Sequence, residues 1–198
     1  MPKVVDHAQR RQELVAATWA VIADEGIEAA TIRRIAEAAG CTTGRITHYF
    51  DAKDDVLVAA LRAVHLAAAE RMGAAIAAER DADPVGTLRA VLREALPLDA
   101  ARRTEWRVWL AFWGRAASEA PLRQEQARRY AEWRALLASL LAAVEPGAGR
   151  GDVAARVDLL AAAIDGLGMQ AVLEPRRFTA RRLVGAADRL VATIVGPG

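Results

Sequence analysis

The sequence predicts an all-α protein, an N-terminal three-helix helix-turn-helix domain followed by a C-terminal helical bundle, about nine helices in total. Three observations predict it. Apolar residues recur at spacings of three and four along the whole chain, the period of a helix with one inward face. Runs alternating Val, Ile or Thr with polar residues, the mark of a half-buried strand, are absent. Breaks rich in proline, glycine or small polar residues (DADP, PLDA, SEAP, EPGAGRG and EPRR) separate the periodic stretches.

The first helix is expected over residues 8–25, with Leu14, Ala17, Val21 and Ile22 inward and Gly26 as its left-handed end. Thr31 reads as the N-cap of a short second helix, Ile32 to Ala39, which stops at Gly40. Thr42 reads as the cap of a third, reaching Tyr49. A long fourth helix is expected from Ala52 to Arg80, ended by DADP at 81–84. The remaining helices are expected at Val85–Leu96, Arg102–Ala117, Leu122–Val144, Asp152–Leu173 and Thr179–Val195. The domain division falls between 1–51, the helix-turn-helix domain, and 52–198, a dimerisation and effector domain.

Several function classes are excluded by composition. No stretch of eighteen residues lacks a charged or strongly polar side chain, so no membrane span is expected. The N-terminus, with Asp6 and no apolar run before Leu14, lacks a signal-peptide pattern, so a cytoplasmic location is expected. Cys41 is the only cysteine, which rules out an internal disulfide and a cysteine-rich metal site. His7, His48 and His65 form no His-x-x-x-His or Glu-x-x-His pair, and no nucleophile elbow is present; no enzyme, metal or cofactor is expected. EPGAGRG lacks the Lys-Ser/Thr of a phosphate loop and reads as an interhelical turn.

Charge gives a mixed signal. The formal net charge is +2, yet residues 1–55 carry seven basic against nine acidic side chains. That count opposes nucleic-acid binding unless the cations are sorted onto one face, with Glu28 and Glu37 turned away from it.

The motif argues the other way. Two short helices joined at Gly40-Cys41-Thr42 have the spacing of a helix-turn-helix. On the third helix Ile46, Tyr49 and Phe50 share one side, while Gly44, Arg45, Thr47 and His48 project from the other. Such an edge suits a major groove: arginine can pair with guanine, a threonine methyl can meet thymine, and the helix start can meet phosphate.

TIRRIAEAAGCTTGRITHYFDAKDDVL, residues 31–57, resembles the signature of the TetR family, and its GRITHYF portion is similar to the BetI branch, as is RRQELVAATWAVIADEG at 10–26. Gly40, Ile35-Ala36 and Phe50-x-x-Lys53 match the family's turn, second-helix pair and following element. The resemblance implies a DNA-binding transcriptional repressor, working as a homodimer on near-palindromic double-stranded operator DNA and released by a small-molecule effector. It implies DNA contact for Arg33, Thr42, Thr43, Gly44 and Thr47, and phosphate contact for Tyr49 and Lys53; the outward Arg45 and His48 complete the set. Cys41 and Arg45 depart from the common pattern, and Arg45 adds a base or phosphate contact.

In the C-terminal part, LLAAAIDGLGMQAVLEP at 159–175 resembles the dimer-interface stretch of BetI-type regulators. Val153, Val157, Leu160, Ile164, Leu167 and Ala171 repeat by four and three, a seam for another helix, and Gly166 and Gly168 suit close backbone approach. The expected interface is Val157, Leu160, Ile164, Leu167, Gly168 and Ala171 with Leu190, the alternative being an ordinary core. Trp106, Trp109, Trp113, Tyr130 and Trp133, with Asp165, form a candidate effector pocket or cation cage, choline being what the branch implies; the alternative is that the rings fill space between alanines. The second functional reading is a helical interaction or ligand-binding protein without DNA binding.

Overall fold

The computed structural model describes residues 7–79 and 83–196. Among them are nine helices and no strand: α1 (His7–Glu25), α2 (Ile32–Ala38), α3 (Thr43–Tyr49), α4 (Lys53–Ala78), α5 (Pro84–Glu94), α6 (Ala100–Ala116), α7 (Ala120–Val144), α8 (Arg150–Leu173) and α9 (Ala180–Val195). None of the described helices is long and apolar enough to cross a membrane. The expected end of the fourth helix at Arg80, Asp81 and Ala82 of the DADP break, and Lys3 and Asp6 of the charge count lie outside the described residues.

Local chemistry explains where the helices start and stop. The Thr31 hydroxyl accepts the Arg34 N–H at 3.1 Å, Asp83 accepts the Gly86 N–H at 2.9 Å with Pro84 opening α5, and Thr179 accepts the Arg182 N–H at 3.4 Å. Asp55 reaches back to the Ala52 N–H at 3.0 Å and so satisfies a donor ahead of α4. Thr42 holds the extended backbone of an N-cap, but its side chain makes no capping bond, contrary to expectation. Gly26 (φ +90°) and Gly40 (φ +60°) close α1 and α2 in the left-handed region that side chains disfavour.

The chain divides into two compact units: the described part of Met1–Leu66 with Arg107–Arg123, and Ala67–Trp106 with the described part of Gln124–Gly198. These units do not follow the 51/52 division, because α4 and α6 each supply buried side chains to both. In the first, Leu14, Val21, Ile22, Ile35, Ile46, Leu57, Leu61 and Phe112 are buried together. Its surface is laced by ion pairs, including Arg115 to Glu119 (2.6 Å) and to Asp54 (3.4 Å).

In the second unit, Leu88, Val91 and Leu92 of α5 meet Leu183, Ala187 and Val191 of α9 in one core, and Arg93 pairs with Asp188 at 2.8 Å beside it. Arg71 of α4 forks onto the buried carboxylate of Glu105, with Nη1 at 2.7 Å. Burial lifts the Glu105 carboxyl above its ordinary range, and Arg71 opposes that shift.

The apolar repeat of α8 is where structure and sequence part. Val157, Leu160, Ile164, Gly168 and Ala171 are closed inside their own unit, between 0 and 4% exposed where aliphatic residues of this stripe are measured. They are core rather than an interface, because the Trp106 ring fills the notch that Gly168 leaves: a Cβ there meets ring atoms at 2.0–2.3 Å. Leu167 and Leu190 remain half-buried. The stripe that α8 leaves open is its neighbour, Leu159 (59% exposed), Ala162, Gly166, Met169 and Leu173 (68%), with the same spacing.

A Gly168→Ala substitution should therefore cost about 1–3 kcal/mol in urea unfolding, because the Trp106 indole is tethered by its N–H to the Ala95 carbonyl at 3.0 Å and has little room to retreat. Gly73→Ala, at an exposed helical position with nothing within 4 Å, should instead gain about 0.5–1 kcal/mol. Equal unfolding midpoints for the two variants contradict this packing.

Candidate nucleic-acid interface and ligand site

The α2–α3 pair is held from one side only. Ile35 and Ala36 of α2, Ile46 of α3 and Phe50 just after it are buried, Ile35 and Ile46 completely. The Cys41 N–H donates to the Ala36 carbonyl at 2.9 Å and fixes the turn. The other side is open: Thr42, Thr43, Gly44, Arg45, Thr47 and His48 are exposed, Tyr49 and Lys53 partly so. The structure thus brings the nine expected DNA-contact residues, Arg33 among them, onto the outside of the motif.

Hydrogen bonding arranges this edge. The Thr47 hydroxyl donates to the Gly44 carbonyl at 3.2 Å, which holds its rotamer and leaves the oxygen able to accept. Arg45 has no acidic partner among the described residues. Arg33 does: Glu37 accepts from its Nε at 3.1 Å, so Glu37 is not turned away from the basic residues but lies against one of them. The cause is the four-residue spacing on α2, which places both side chains on one face. Arg34 is tied to Glu25 by a fork of 2.6–3.0 Å, and those hydrogen bonds hold the Glu25 carboxyl below its ordinary range.

Ion pairs account for part of the charge count. Glu13 pairs with Arg10, Glu25 with Arg34, Glu37 with Arg33 and Asp54 with Arg115. Arg107 and Arg115, from far along the chain, belong to the same unit and are missed by counting residues 1–55. On α3 itself Arg45 is the one Lys, Arg, Asp or Glu side chain, and it has no acidic partner among the described residues; Glu28 and Asp51, outside α3, form no ion pair there either.

The second unit holds a different polar centre. The Tyr130 hydroxyl of α7 donates to Asp165 of α8 at 2.7 Å, and the Arg134 guanidinium lies 5.2 Å from the Tyr130 ring centre. Burial lifts the Asp165 carboxyl, partly countered by that hydrogen bond, and burial together with Asp165 lifts the Tyr130 hydroxyl. Gln126 and Trp133 share the Tyr130 face of α7 by their four- and three-residue spacing. Gln126 is a site the sequence reading misses: it is 8% exposed, and its Oε1 is buried with no partner among the described residues. The available signal was a glutamine at helical spacing from an aromatic pair.

The tryptophans of α6 separate. Trp106 belongs to the second unit and is 2% exposed; its ring and N–H are committed to Gly168 and Ala95, so it packs a core rather than presenting a free wall. Trp109 and Trp113 belong to the first unit, where Trp109 stacks on His65 at 5.6 Å. An open groove of about 620 Å³ runs between α7 and α8, lined by Ala135, Ala138, Ala142, Val153 and Ala154, and contains none of the expected effector residues. No cluster of three or more metal-ligating side chains occurs among the described residues.

Comparison with known proteins covers both parts of the chain. Residues 14–60 match the family model for bacterial regulatory proteins of the tetR family, and residues 84–196 match that for the C-terminal part of BetI-type transcriptional repressors. The chain is 31% identical to the HTH-type transcriptional regulator BetI of Paraburkholderia phytofirmans, with 98% of each chain covered. It is 30% identical to the regulator PksA of Bacillus subtilis, over 92% of this chain and 88% of that one. Among solved structures, a transcriptional regulator from Rhodococcus sp. Rha1 superposes with a TM-score of 0.84 at 32% identity, covering 93% of this chain and 95% of that one. A transcriptional regulator from Saccharomonospora viridis in complex with choline superposes with a TM-score of 0.82 at 25% identity, covering 93% and 96%.

The Tyr130–Asp165 pair has a pH signature. Because burial raises the folded Asp165 value above its ordinary 3.8, the folded state holds that proton more tightly than the unfolded chain. Its contribution is therefore full at low pH and is lost as pH rises through the folded value. Tyr130 limits the loss by hydrogen-bonding the charged form. Tyr130→Phe should cost about 1.5–3 kcal/mol in urea unfolding at pH 7, and the deficit should shrink as pH falls through the raised folded value of Asp165. A pH-independent deficit contradicts the assignment.

Proposed function

The chain belongs to the TetR family of transcriptional regulators, with a C-terminal part of the BetI type, and from that premise we propose that it is a ligand-responsive repressor, reading a near-palindromic operator as a homodimer through the exposed edge of α3. The relatives named above are transcriptional regulators, not enzymes. The observation that carries the reading is one-sided burial: Ile46 and Phe50 are inside while Arg45, Thr47 and their neighbours face out, Arg45 with no acidic partner among the described residues. In this reading residues 1–51 form the DNA-reading part, working in the cytoplasm. Arg33, Thr42, Thr43, Gly44, Arg45, Thr47 and His48 meet base edges and the groove wall, and Tyr49 and Lys53 meet phosphate.

A near-palindrome needs two α3 helices on one face of the duplex, about 34 Å apart. We assign the self-association to Leu159, Ala162, Gly166, Met169 and Leu173 of α8, flanked by Leu167 and by Leu190 of α9. Support comes from the exposure of three large apolar side chains at helical spacing, with Gly166 permitting close approach between them.

The effector is assigned to the class of small organic cations, gathered around Asp165, Tyr130, Gln126 and Trp133. A half-buried carboxylate, a spare amide acceptor and the Trp133 ring suit a positive charge that also carries a hydrogen-bond donor, and Arg134 over the Tyr130 ring supports the affinity of this face for a cation. The choline complex of the Saccharomonospora viridis structure supports the same class.

Binding isotherms combined with mass measurement test the DNA reading, using the tightest duplex selected from a randomised library. The parent should bind as a dimer with strong salt dependence. Arg45→Ala should stay dimeric and lose about fivefold to a hundredfold in affinity, Lys53→Ala should lower the salt slope by about one, and Leu159→Asp should dissociate the dimer. Parent-like affinity in Arg45→Ala overturns the contact assignment, and a dimeric Leu159→Asp overturns the interface. The effector class is tested by adding choline to the protein–duplex complex: choline should release the duplex, and its neutral carbon isostere at equal concentration should not. Equal action by the two compounds contradicts a cation site.

A further inference from the structure

The first two turns of α1 grip the far end of α3. The His7 ring lies 6.0 Å from that of His48 and 5.7 Å from that of Tyr49, while His48 and Tyr49 meet edge to face at 5.1 Å, so three rings close a triangle. One turn further along the same face of α1, the Arg11 guanidinium lies 4.8 Å from the centre of the Phe50 ring. Residues 7 and 11 are four apart, so both project from one face of α1 and act as a bracket on residues 48–50. His7 is exposed, and neither family resemblance nor helical periodicity marks it.

We infer that His7 is a positioning residue for operator binding: its ring holds His48 and Tyr49 in the orientation in which they meet the duplex. The inference rests on the DNA-binding reading above and adds to it a residue outside the helix-turn-helix. Two physical points carry it. A helix of seven residues has too few internal hydrogen bonds to fix its own last turn, so the directions of His48 and Tyr49 are set by what packs on them. And His48 and Tyr49 lie on the open side of the motif, where the only described rings in contact with either one belong to this triangle. The charged groups around the triangle are Arg10, held to Glu13 at 2.7 Å, Arg11 over Phe50, and Arg45 one turn back on α3. The role assigned to His7 is therefore ring packing and not a charge of its own.

The test measures affinity and salt slope at pH 8 for the full-length parent, His7→Ala and His7→Phe on the selected duplex, with thermal melting of each. The parent must first show salt-sensitive binding; if it shows none, the DNA-binding reading itself fails. Given parent binding, His7→Ala should weaken affinity by about three- to tenfold with an unchanged melting temperature and an unchanged salt slope, and His7→Phe should recover affinity to within about twofold. Parent-like affinity in His7→Ala overturns the inference. So does a salt slope lowered by about one, the mark of a direct phosphate contact, and so does His7→Phe binding as weakly as His7→Ala.

Discussion

A helix of two turns does not hold its shape in water, and everything proposed for this protein depends on how α3 is held. Ile46 and Phe50 anchor it from beneath, Gly40 supplies the left-handed corner that crosses it over α2, and the Cys41 N–H closes the turn on the Ala36 carbonyl. Because all of the apolar anchoring is on one side, the opposite side is free to be polar without harm to the fold. Sequence on that edge is decoupled from stability, which is what allows a scaffold to be kept while the groups facing a duplex vary.

Electrostatics works by subtraction. The first unit is not rich in positive charge; it is rich in ion pairs, which neutralise Glu13, Glu25, Glu37 and Asp54 locally. Exposed pairs of this kind contribute little to stability. Their effect is on the field: with Glu13, Glu25, Glu37 and Asp54 matched, Arg45 is the charged side chain of α3 left without an acidic partner among the described residues. On the proposed DNA reading, the pairing of Arg33 with Glu37 requires Arg33 to exchange a partner on binding, whereas Arg45 need not.

Much of this was legible in the sequence, and the limits have physical causes. The nine helices, the turn at Gly40 and the inward Ile46 and Phe50 follow from local periodicity and backbone chemistry, which act within a few residues; Tyr49, expected on their side, is half-exposed instead because α1 packs its His7 ring against the end of α3. What a sequence shows poorly is which of two adjacent stripes on one helix is covered. On α8 the 157–171 series and the 159–173 series share the same four-and-three spacing, and the choice between them was made by Trp106, a residue more than fifty positions away that fits the notch at Gly168. The same long range hides Arg115 beside Asp54, whereas Tyr130 and Asp165, grouped from the sequence, do meet. The tryptophans looked alike in sequence because they share a helical spacing; they differ because α6 serves two cores.

The central claim is that residues 42–49, together with Arg33 and Lys53, form the surface that meets operator DNA. Amide hydrogen exchange on the full-length protein, with and without the selected duplex, tests it most directly. The account predicts that added duplex slows exchange over residues 42–50 while the exposed edge of α8 from 159 to 173 is unchanged. Unaltered exchange throughout 31–53 in a protein that is demonstrably duplex-bound contradicts it.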